Sequence, residues 1–264
     1  MTKFVPADLT GLWRREVITT PAGYRDETTR VLWLQTCSWY ADIRVPADRP
    51  TPAGATGFAD FSDAELLQLA AIQCFAGQLS AADGVCLWRR DLDHQPPGDL
   101  LDEARFAVDG EVMIEDGIHA DYQEIWRREA GSAGPLAAFQ LTSDPAGRNG
   151  FLVIAGDHFI EFVDRPLPLP HGKSLAEIVG MALTTGQRST AEQLLSTRIS
   201  HGRIGDGWKV ALSSLPWLEG APLWPESPRF LADQGVLQTP HQTWTLLDSS
   251  LPATELTAWF AVDA

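Results

Sequence analysis

The chain has 264 residues, of which 44% are hydrophobic and 21% are charged. These proportions are ordinary for a globular protein and exclude a largely disordered chain. A formal net charge of −15 argues against nucleic acid and anionic membranes as partners. We expect a cytoplasmic protein, because residues 1–6 show no apolar stretch of signal-peptide length and no window has the roughly 18 apolar residues of a spanning helix.

The first half of the chain predicts short antiparallel strands separated by turn signals. A helix is expected within residues 60–73, where Ser62 and Glu65 have the spacing of a capping box. Three Asp-Gly pairs, which favour tight hairpin turns, begin at Asp83, Asp109 and Asp116. The expected strands cover residues 12–19, 29–39, 40–45, 75–79, 85–92, 105–108, 111–115 and 122–128.

The second half repeats this order more loosely, which indicates an internal duplication. Residues 105–113 recur at residues 229–237 with Arg, Phe, Asp and Val in the same places, and Pro-Ala-Gly at Pro21 recurs at Pro145. Both pairs are 124 positions apart. Asp-Arg-Pro also follows a strand in each half and precedes its helical segment, at residues 60–73 and 174–197. A linker of small residues near residues 131–135 would separate the two copies.

The predicted fold class is therefore mainly β, with two tandem antiparallel barrels at residues 1–131 and 132–264, each with one inserted helical segment. The glycine-rich segment at residues 202–207 is expected to be a hairpin turn. Cys37, Cys74 and Cys86 lack metal-ligand spacing and are expected to be buried thiols. The sequence predicts no metal and no cofactor.

A family resemblance supports this architecture. Gly11-x-Trp13 at the first strand, with Trp126-Arg127-Arg128 at the end of the meander, resembles the calycin superfamily of lipocalins and fatty-acid-binding proteins. Residues 31–50, 88–97 and 113–127 are similar to a little-characterised family of bacterial and fungal cytosolic proteins with two tandem calycin-like barrels. This resemblance implies a fold and no activity. It also implies a latch in which Arg127 or Arg128 covers Trp13 at the base of the barrel.

Strand alternation places polar groups beside aromatic side chains on single faces of the predicted sheet. Asp42 shares a face with Arg44, for example. If these faces point inwards, the first barrel has a tryptophan-lined cavity in which arginines orient a ligand. The alternative is that the tryptophans form core and the charges lie on the outer face. The candidate ligand-binding residues are Arg44, Arg90, Trp33, Trp88, Tyr122 and Trp126.

Two carboxylates and two histidines are candidates for acid-base chemistry. Glu115 and Glu124 lie on successive strands and could face each other, with environments that separate their pKa values. His94 and His119 lie in expected loops at a barrel end, where either could act as a base. For all four residues the alternative is a solvated surface position.

Three functions remain open from the sequence. The leading hypothesis is an intracellular protein that binds a small apolar or amphipathic molecule carrying a polar or anionic group. The rival is a cofactor-free cyclase, isomerase or hydrolase that uses the barrel carboxylates. The third is a protein-interaction module with solid barrels and an exposed apolar patch around Trp217, Leu218 and Trp224.

Overall fold

The computed structural model describes residues 5–98 and 100–260. Its first half forms one antiparallel sheet of nine strands. They are β1 (Gly11–Thr19), β2 (Arg25–Asp26), β3 (Arg30–Gln35), β4 (Trp39–Val45), β5 (Gln73–Ala82), β6 (Val85–Asp93), β7 (Glu103–Asp109), β8 (Val112–Gly117) and β9 (Gln123–Arg128).

This sheet closes into a barrel, because β1 pairs with β9 as well as with β3. Eight strands form the wall, and the short β2 pairs with the end of β1. Helix α1 (Asp63–Leu69) lies between β4 and β5 and begins at the predicted capping box of Ser62 and Glu65. The mainly β fold and the closed antiparallel barrel are thus confirmed.

The second half forms a sheet of eight strands with three further helices. The strands are β10 (Leu136–Ser143), β11 (Gly150–Ala155), β12 (His158–Val163), β13 (Arg198–Arg203), β14 (Lys209–Ser213), β15 (Arg229–Leu231), β16 (Val236–Gln238) and β17 (Thr243–Ser249). The helices are α2 (Leu175–Thr184), α3 (Arg188–Leu194) and α4 (Ala253–Phe260). No helix among the described residues is long and apolar enough to cross a membrane.

The two sheets follow the same order of strands. The first runs β6-β5-β4-β3-β1-β9-β8-β7, and the second runs β14-β13-β12-β11-β10-β17-β16-β15. The repeated motif at residues 105–113 forms the β7–β8 hairpin, and its copy at 229–237 forms the β15–β16 hairpin. Each half therefore places its helical segment and its repeated hairpin at the same position in the order of strands.

The second sheet departs from the closed barrel that the sequence predicts. Its edge strands β14 and β15 do not pair with each other within the described residues. Strands β15 and β16 have only three residues each, too few to complete a wall. Helix α4 packs Leu256 and Phe260 against the apolar inner face of this sheet instead.

Three local expectations are corrected. Asp116-Gly117 ends strand β8 rather than forming a turn, and a Cβ at Gly117 would lie 2.3 Å from the carbonyl oxygen of Ala120. The second helical segment consists of two helices. The expected exposed patch is not exposed, because Trp224 is buried in the second sheet and Trp217 packs edge-on against Phe58. The glycine-rich segment at residues 202–207 lies at the turn between β13 and β14, as expected.

The three cysteines are free thiols, and Cys37 is only half-buried.

An apolar layer joins the two halves. The outward-facing side chains of β3 and β4 pack against those of β11 and β12, with α1, α2 and α3 completing the layer. Ile43 and Phe162 belong to this layer, and Trp39 lies 4.8 Å from Phe151 between ring centroids. Strands β11 and β12 are consequently buried at every position. The two sheets therefore share one core and are not independent barrels on a linker.

Two arginines cross this junction in opposite directions, and both come from the repeated Asp-Arg-Pro motif. Arg49 Nη1 donates to the carbonyl oxygen of Ser213 at 2.5 Å and to Glu219 Oε1 at 2.9 Å. Arg165 Nη2 donates to the carbonyl oxygen of His94 at 2.6 Å. Ser213 ends β14, and His94 follows β6, the strand at the same position in the first sheet. Each half thus caps the end of the other half's sheet.

Replacing Arg49 by methionine should destabilise the whole chain, because it removes the charged donor of the Ser213 carbonyl oxygen and leaves Glu219 Oε1 with the Ser213 N–H alone. We expect a loss of about 3 kcal/mol in the free energy of unfolding. Urea unfolding followed by tryptophan fluorescence measures this loss. Arg25→Met is the matched control, since the Arg25–Glu27 pair is solvent-exposed and should change stability by under about 0.5 kcal/mol. Equal losses in the two variants would contradict the assigned role of Arg49.

Candidate functional site

The interior of the first barrel contains charged side chains. Along β4, Ala41 and Ile43 face the apolar layer between the halves, so Asp42 and Arg44 face the interior by alternation. Glu115 and Glu124 are buried as well, at 5% and 1% exposure. The structure therefore places these candidate charges inside rather than on the outer face.

These interior charges are paired with one another. Arg44 donates to both oxygens of Asp42, at 2.8 and 3.1 Å. Arg15 donates to Glu124 at 2.7 Å and to Asp26 at 3.0 Å. Arg44 Nη1 also lies 3.8 Å from the same oxygen of Glu124. Since buried charges are costly unless neutralised, this mutual pairing lets the barrel hold them without a ligand.

Glu115 and Glu124 face each other directly across β8 and β9 but have different partners. Glu124 is held by Arg15, whereas Glu115 accepts a hydrogen bond from the phenol of Tyr122 at 2.8 Å. Burial, reinforced by the neighbouring Glu124 carboxylate, raises the pKa of Glu115 well above its usual value. Glu115 therefore holds its proton to a higher pH than an ordinary glutamate does.

The candidate tryptophans fill the middle of the barrel. Trp33 makes edge-to-face contacts with Trp88 and Trp126, at centroid distances of 5.7 and 6.0 Å. The cavity that they line together with the charged side chains has a volume of about 10 Å³. This volume is that of one water molecule, so the cavity among these rings is far smaller than the ligand cavity that the sequence predicts. The indole rings occupy the space assigned to a ligand.

A much larger groove lies outside the barrel mouth. It has a volume of about 1130 Å³ and runs between the β6–β7 connection of the first half and the segment that follows β12 in the second. Trp88, Arg90 and Tyr122 line it, so three of the six candidate ligand-binding residues meet there. Arg90 lies over the ring of Phe75 at 3.6 Å and pairs with Asp102 at 2.7 Å.

His94 is not a solvated loop residue. It is 1% exposed, and its Nδ1 lies 3.0 Å from Nη2 of Arg165. Burial together with the Arg165 charge lowers the pKa of His94 to about 3, so the ring is neutral at physiological pH. This environment makes His94 a structural contact between the halves and a poor general base.

His119 does lie at the groove, where its Nε2 is 2.8 Å from Glu103 Oε2. The side chain is 37% exposed. His119 is thus accessible to a molecule in the groove, but it does not contact Glu115 or Glu124.

The base of the barrel contains the contact implied by the calycin resemblance. The Arg128 guanidinium lies 4.3 Å above the Trp13 ring and donates to the carbonyl oxygens of Asp8 and Thr10. Gly11 has a φ of 116°, and a Cβ there would meet Arg128 Nη1 at 3.0 Å, so this position favours glycine. Arg127 instead pairs with Glu16 on the outer surface.

Sequence reasoning missed three residues that shape this region: Arg15, Asp102 and Arg165. Arg15 is two residues from Trp13 in β1, so the sequence already indicated that the two side chains share a face of the strand. Asp102 lies in the β6–β7 connection, directly before β7. The sequence of this connection has no alternation of apolar and polar residues, so no pattern indicated that Asp102 contacts Arg90. Arg165 belongs to the repeated Asp-Arg-Pro motif, but its partner is 71 residues away in the chain.

Glu115→Gln should change how stability depends on pH. The folded-state pKa of Glu115 lies above that of the unfolded chain, so the unfolded chain releases this proton first as the pH rises. The wild type therefore loses stability as the pH rises above 4.5, the usual pKa of a glutamate side chain. The full loss is about 1.4 kcal/mol for each unit that separates the folded-state and unfolded-state pKa values. Glutamine keeps an oxygen to accept the Tyr122 hydrogen bond and does not titrate.

We therefore expect the melting temperature of Glu115→Gln, relative to wild type, to increase from about pH 5 to about pH 8. Thermal unfolding by circular dichroism measures the difference, with the exposed Glu226→Gln as control. A difference that stays constant across this range would show that Glu115 is ionised in the folded protein.

Comparisons with known proteins bear on the fold alone. No family model and no curated protein sequence matches the chain. Its structure is similar to the crystal structure of the uncharacterised protein YLR301w from Saccharomyces cerevisiae, with a TM-score of 0.56 and 14% sequence identity. The similarity covers 91% of this chain and 99% of the yeast chain, so both sheets take part in the shared architecture.

Proposed function

We propose that the protein is a cytoplasmic binding protein for a small organic molecule, and that the ligand lies in the groove at the mouth of the first barrel. The single observation that carries this proposal is the groove itself, whose volume of about 1130 Å³ is sufficient for a small-molecule ligand. The packed interior of the barrel leaves no comparable space among the candidate tryptophans. The proposal keeps the ligand class expected from the sequence and moves its position.

The groove offers apolar surface to such a ligand. Leu100 and Leu101 are exposed at 74% and 60%, and both line the groove. Trp88 and Leu169 contribute further apolar wall. Exposed apolar side chains that converge on one concave surface are characteristic of binding sites, because burying them releases water from their surface.

The polar lining favours a neutral polar group on the ligand over an anionic one. Five carboxylates and three arginines line the groove. Arg90 is already paired with Asp93 and Asp102, and Arg89 with Asp91. An anionic ligand at Arg89 or Arg90 would have to displace these carboxylates, whereas a hydroxyl or carbonyl group can bind beside them.

A cofactor-free enzyme is the second candidate, and Glu115 supports it. A carboxyl group with a raised pKa, bonded to a phenol that itself lines the groove, is suited to donate a proton. Substrate would reach this pair through Tyr122. The interaction-module hypothesis loses support, because Trp224 is buried and Trp217 is partly buried against Phe58.

We further propose that both halves derive from a duplicated calycin-like unit. The shared order of strands and the Arg128–Trp13 contact support this origin. In the second half, the opening between β14 and β15 and the α4 side chains on its inner face would then be later changes. The groove is formed with help from the segment after β12, so both copies would be needed for binding.

The groove proposal can be tested with a panel of neutral alcohols, ketones and esters on hydrocarbon rings or chains. A ligand at 100 times its dissociation constant should stabilise the protein by about 2.7 kcal/mol. Leu101→Asp, which places a charge on the apolar wall, should weaken binding at least about tenfold, a cost of about 1.4 kcal/mol. Thermal-shift titrations measure both effects.

Met181→Asp is the matched control, since Met181 is an exposed apolar residue on α2, outside the groove. It should bind the panel as the wild type does. The proposal fails if no panel member stabilises the wild type, or if Leu101→Asp binds the same compounds with unchanged affinity.

A further inference from the structure

A small polar cavity lies inside the first barrel, between the tryptophans and the interior charges. Its volume of about 10 Å³ is enough for one oxygen atom and too small for a carboxylate group. Its wall consists of Trp33, Asp42, Arg44, Phe75, Trp88, Asp102, Glu115 and Trp126.

Two donors in this wall have no acceptor. The indole nitrogens of Trp33 and Trp126 are buried and make no hydrogen bond to any described residue. The two side chains are only 2% and 1% exposed. Buried donors are almost always paired, because an unpaired N–H loses its hydrogen bond to water without replacement. Two such donors in the wall of one cavity point to an oxygen acceptor within it.

The carboxylates of the wall are already bonded to other donors. Both oxygens of Asp42 accept from Arg44, and Asp102 Oδ2 accepts from Arg90 at 2.7 Å. Glu115 accepts from Tyr122 through Oε1. Turning one of these groups towards an indole would break a charged or buried hydrogen bond. None of these carboxylates accepts a hydrogen bond from either indole, and an oxygen from outside the protein can supply the missing acceptor.

The cavity adjoins the groove. Trp88 and Asp102 line both spaces. A ligand whose body lies in the groove is thus positioned to place one small group between them. The surrounding carboxylates, Asp42 and Asp102 among them, oppose a negatively charged group there.

We propose that this cavity receives the carbonyl oxygen of a neutral ketone, aldehyde or ester, which accepts hydrogen bonds from the indole N–H groups of both Trp33 and Trp126. A carbonyl oxygen has two lone pairs and no donor of its own, so it matches two unpaired donors. This inference rests on the proposed function, because it identifies the polar group of the groove ligand.

The inference is tested by NMR of wild-type protein labelled with ¹⁵N, titrated with two ligands of the same ring size. Cyclohexanone has the carbonyl oxygen, and methylenecyclohexane has a carbon in its place. We expect cyclohexanone to move the Trp33 and Trp126 indole N–H resonances downfield in a saturable manner. Methylenecyclohexane should perturb groove amides such as that of Leu101 and leave the two indoles unmoved.

A substitution separates the hydrogen bond from the apolar contacts. Trp126→Phe removes one indole N–H and retains an aromatic ring. It should weaken cyclohexanone binding roughly tenfold and leave methylenecyclohexane binding unchanged. Should this variant fold poorly, the comparison of the two ligands on wild-type protein decides the question alone.

The possible results distinguish this inference from the proposed function. If cyclohexanone perturbs the groove amides but neither indole, the cavity does not receive the carbonyl oxygen, and the groove proposal stands. If both ligands move the two indoles equally, an apolar contact is responsible and the inference is overturned. If neither ligand perturbs any of these resonances at saturating concentration, the inference is overturned too, and the panel experiment decides the proposed function.

Discussion

The structure depends on one apolar layer that two sheets must share. Strands β3, β4, β11 and β12 carry apolar side chains on their outward faces, so neither sheet could expose its outer surface to water. Packing these outer faces together buries β11 and β12 at every position and joins the two sheets. Arg49 and Arg165 then pair across the junction, and the segment after β12 is brought to the mouth of the first barrel. The groove follows from this packing.

The same packing explains why charge is found inside the first barrel. With one face of β4 committed to the layer between the halves, its polar side chains Asp42 and Arg44 must face the interior. They are tolerated there because Glu124 and Arg15 complete a paired set. Among the described residues Glu115 makes no hydrogen bond to an arginine, and burial raises its pKa well above the usual value. The interior is thus balanced without a bound ion, with a cavity among its tryptophans that accommodates a single oxygen atom.

The mainly β fold, most of the strands and the capped helix α1 were predictable from the sequence because their signals are local. The capping box at Ser62, the turn at Asp83 and the repeat at residues 105–113 each depend on neighbouring residues. The inward face of each strand was not predictable. Alternation shows which side chains share a face, but it does not show which of the two faces points into the barrel. Contacts between the halves, such as Arg165 with His94, depend on partners far apart in the chain.

The candidate site was predictable only in part, for a related reason. Residue types indicated that Glu115, Glu124 and the tryptophans belong together, and the structure brings them together. Whether the barrel is hollow depends on how the three indole rings pack in its interior. A sequence pattern does not show this packing. The proposed ligand position is therefore the groove and not the interior, and the wall of the groove includes Leu169 from the other half.

Diffraction from crystals pressurised with xenon would test the packed interior most directly, because xenon enters apolar cavities of about 150 Å³. The account predicts no xenon among Trp33, Trp88 and Trp126, and one oxygen-sized feature within hydrogen-bonding distance of the Trp33 and Trp126 indole nitrogens. A xenon atom enclosed by those three rings would contradict it, because the barrel would then be hollow and the ligand could lie inside.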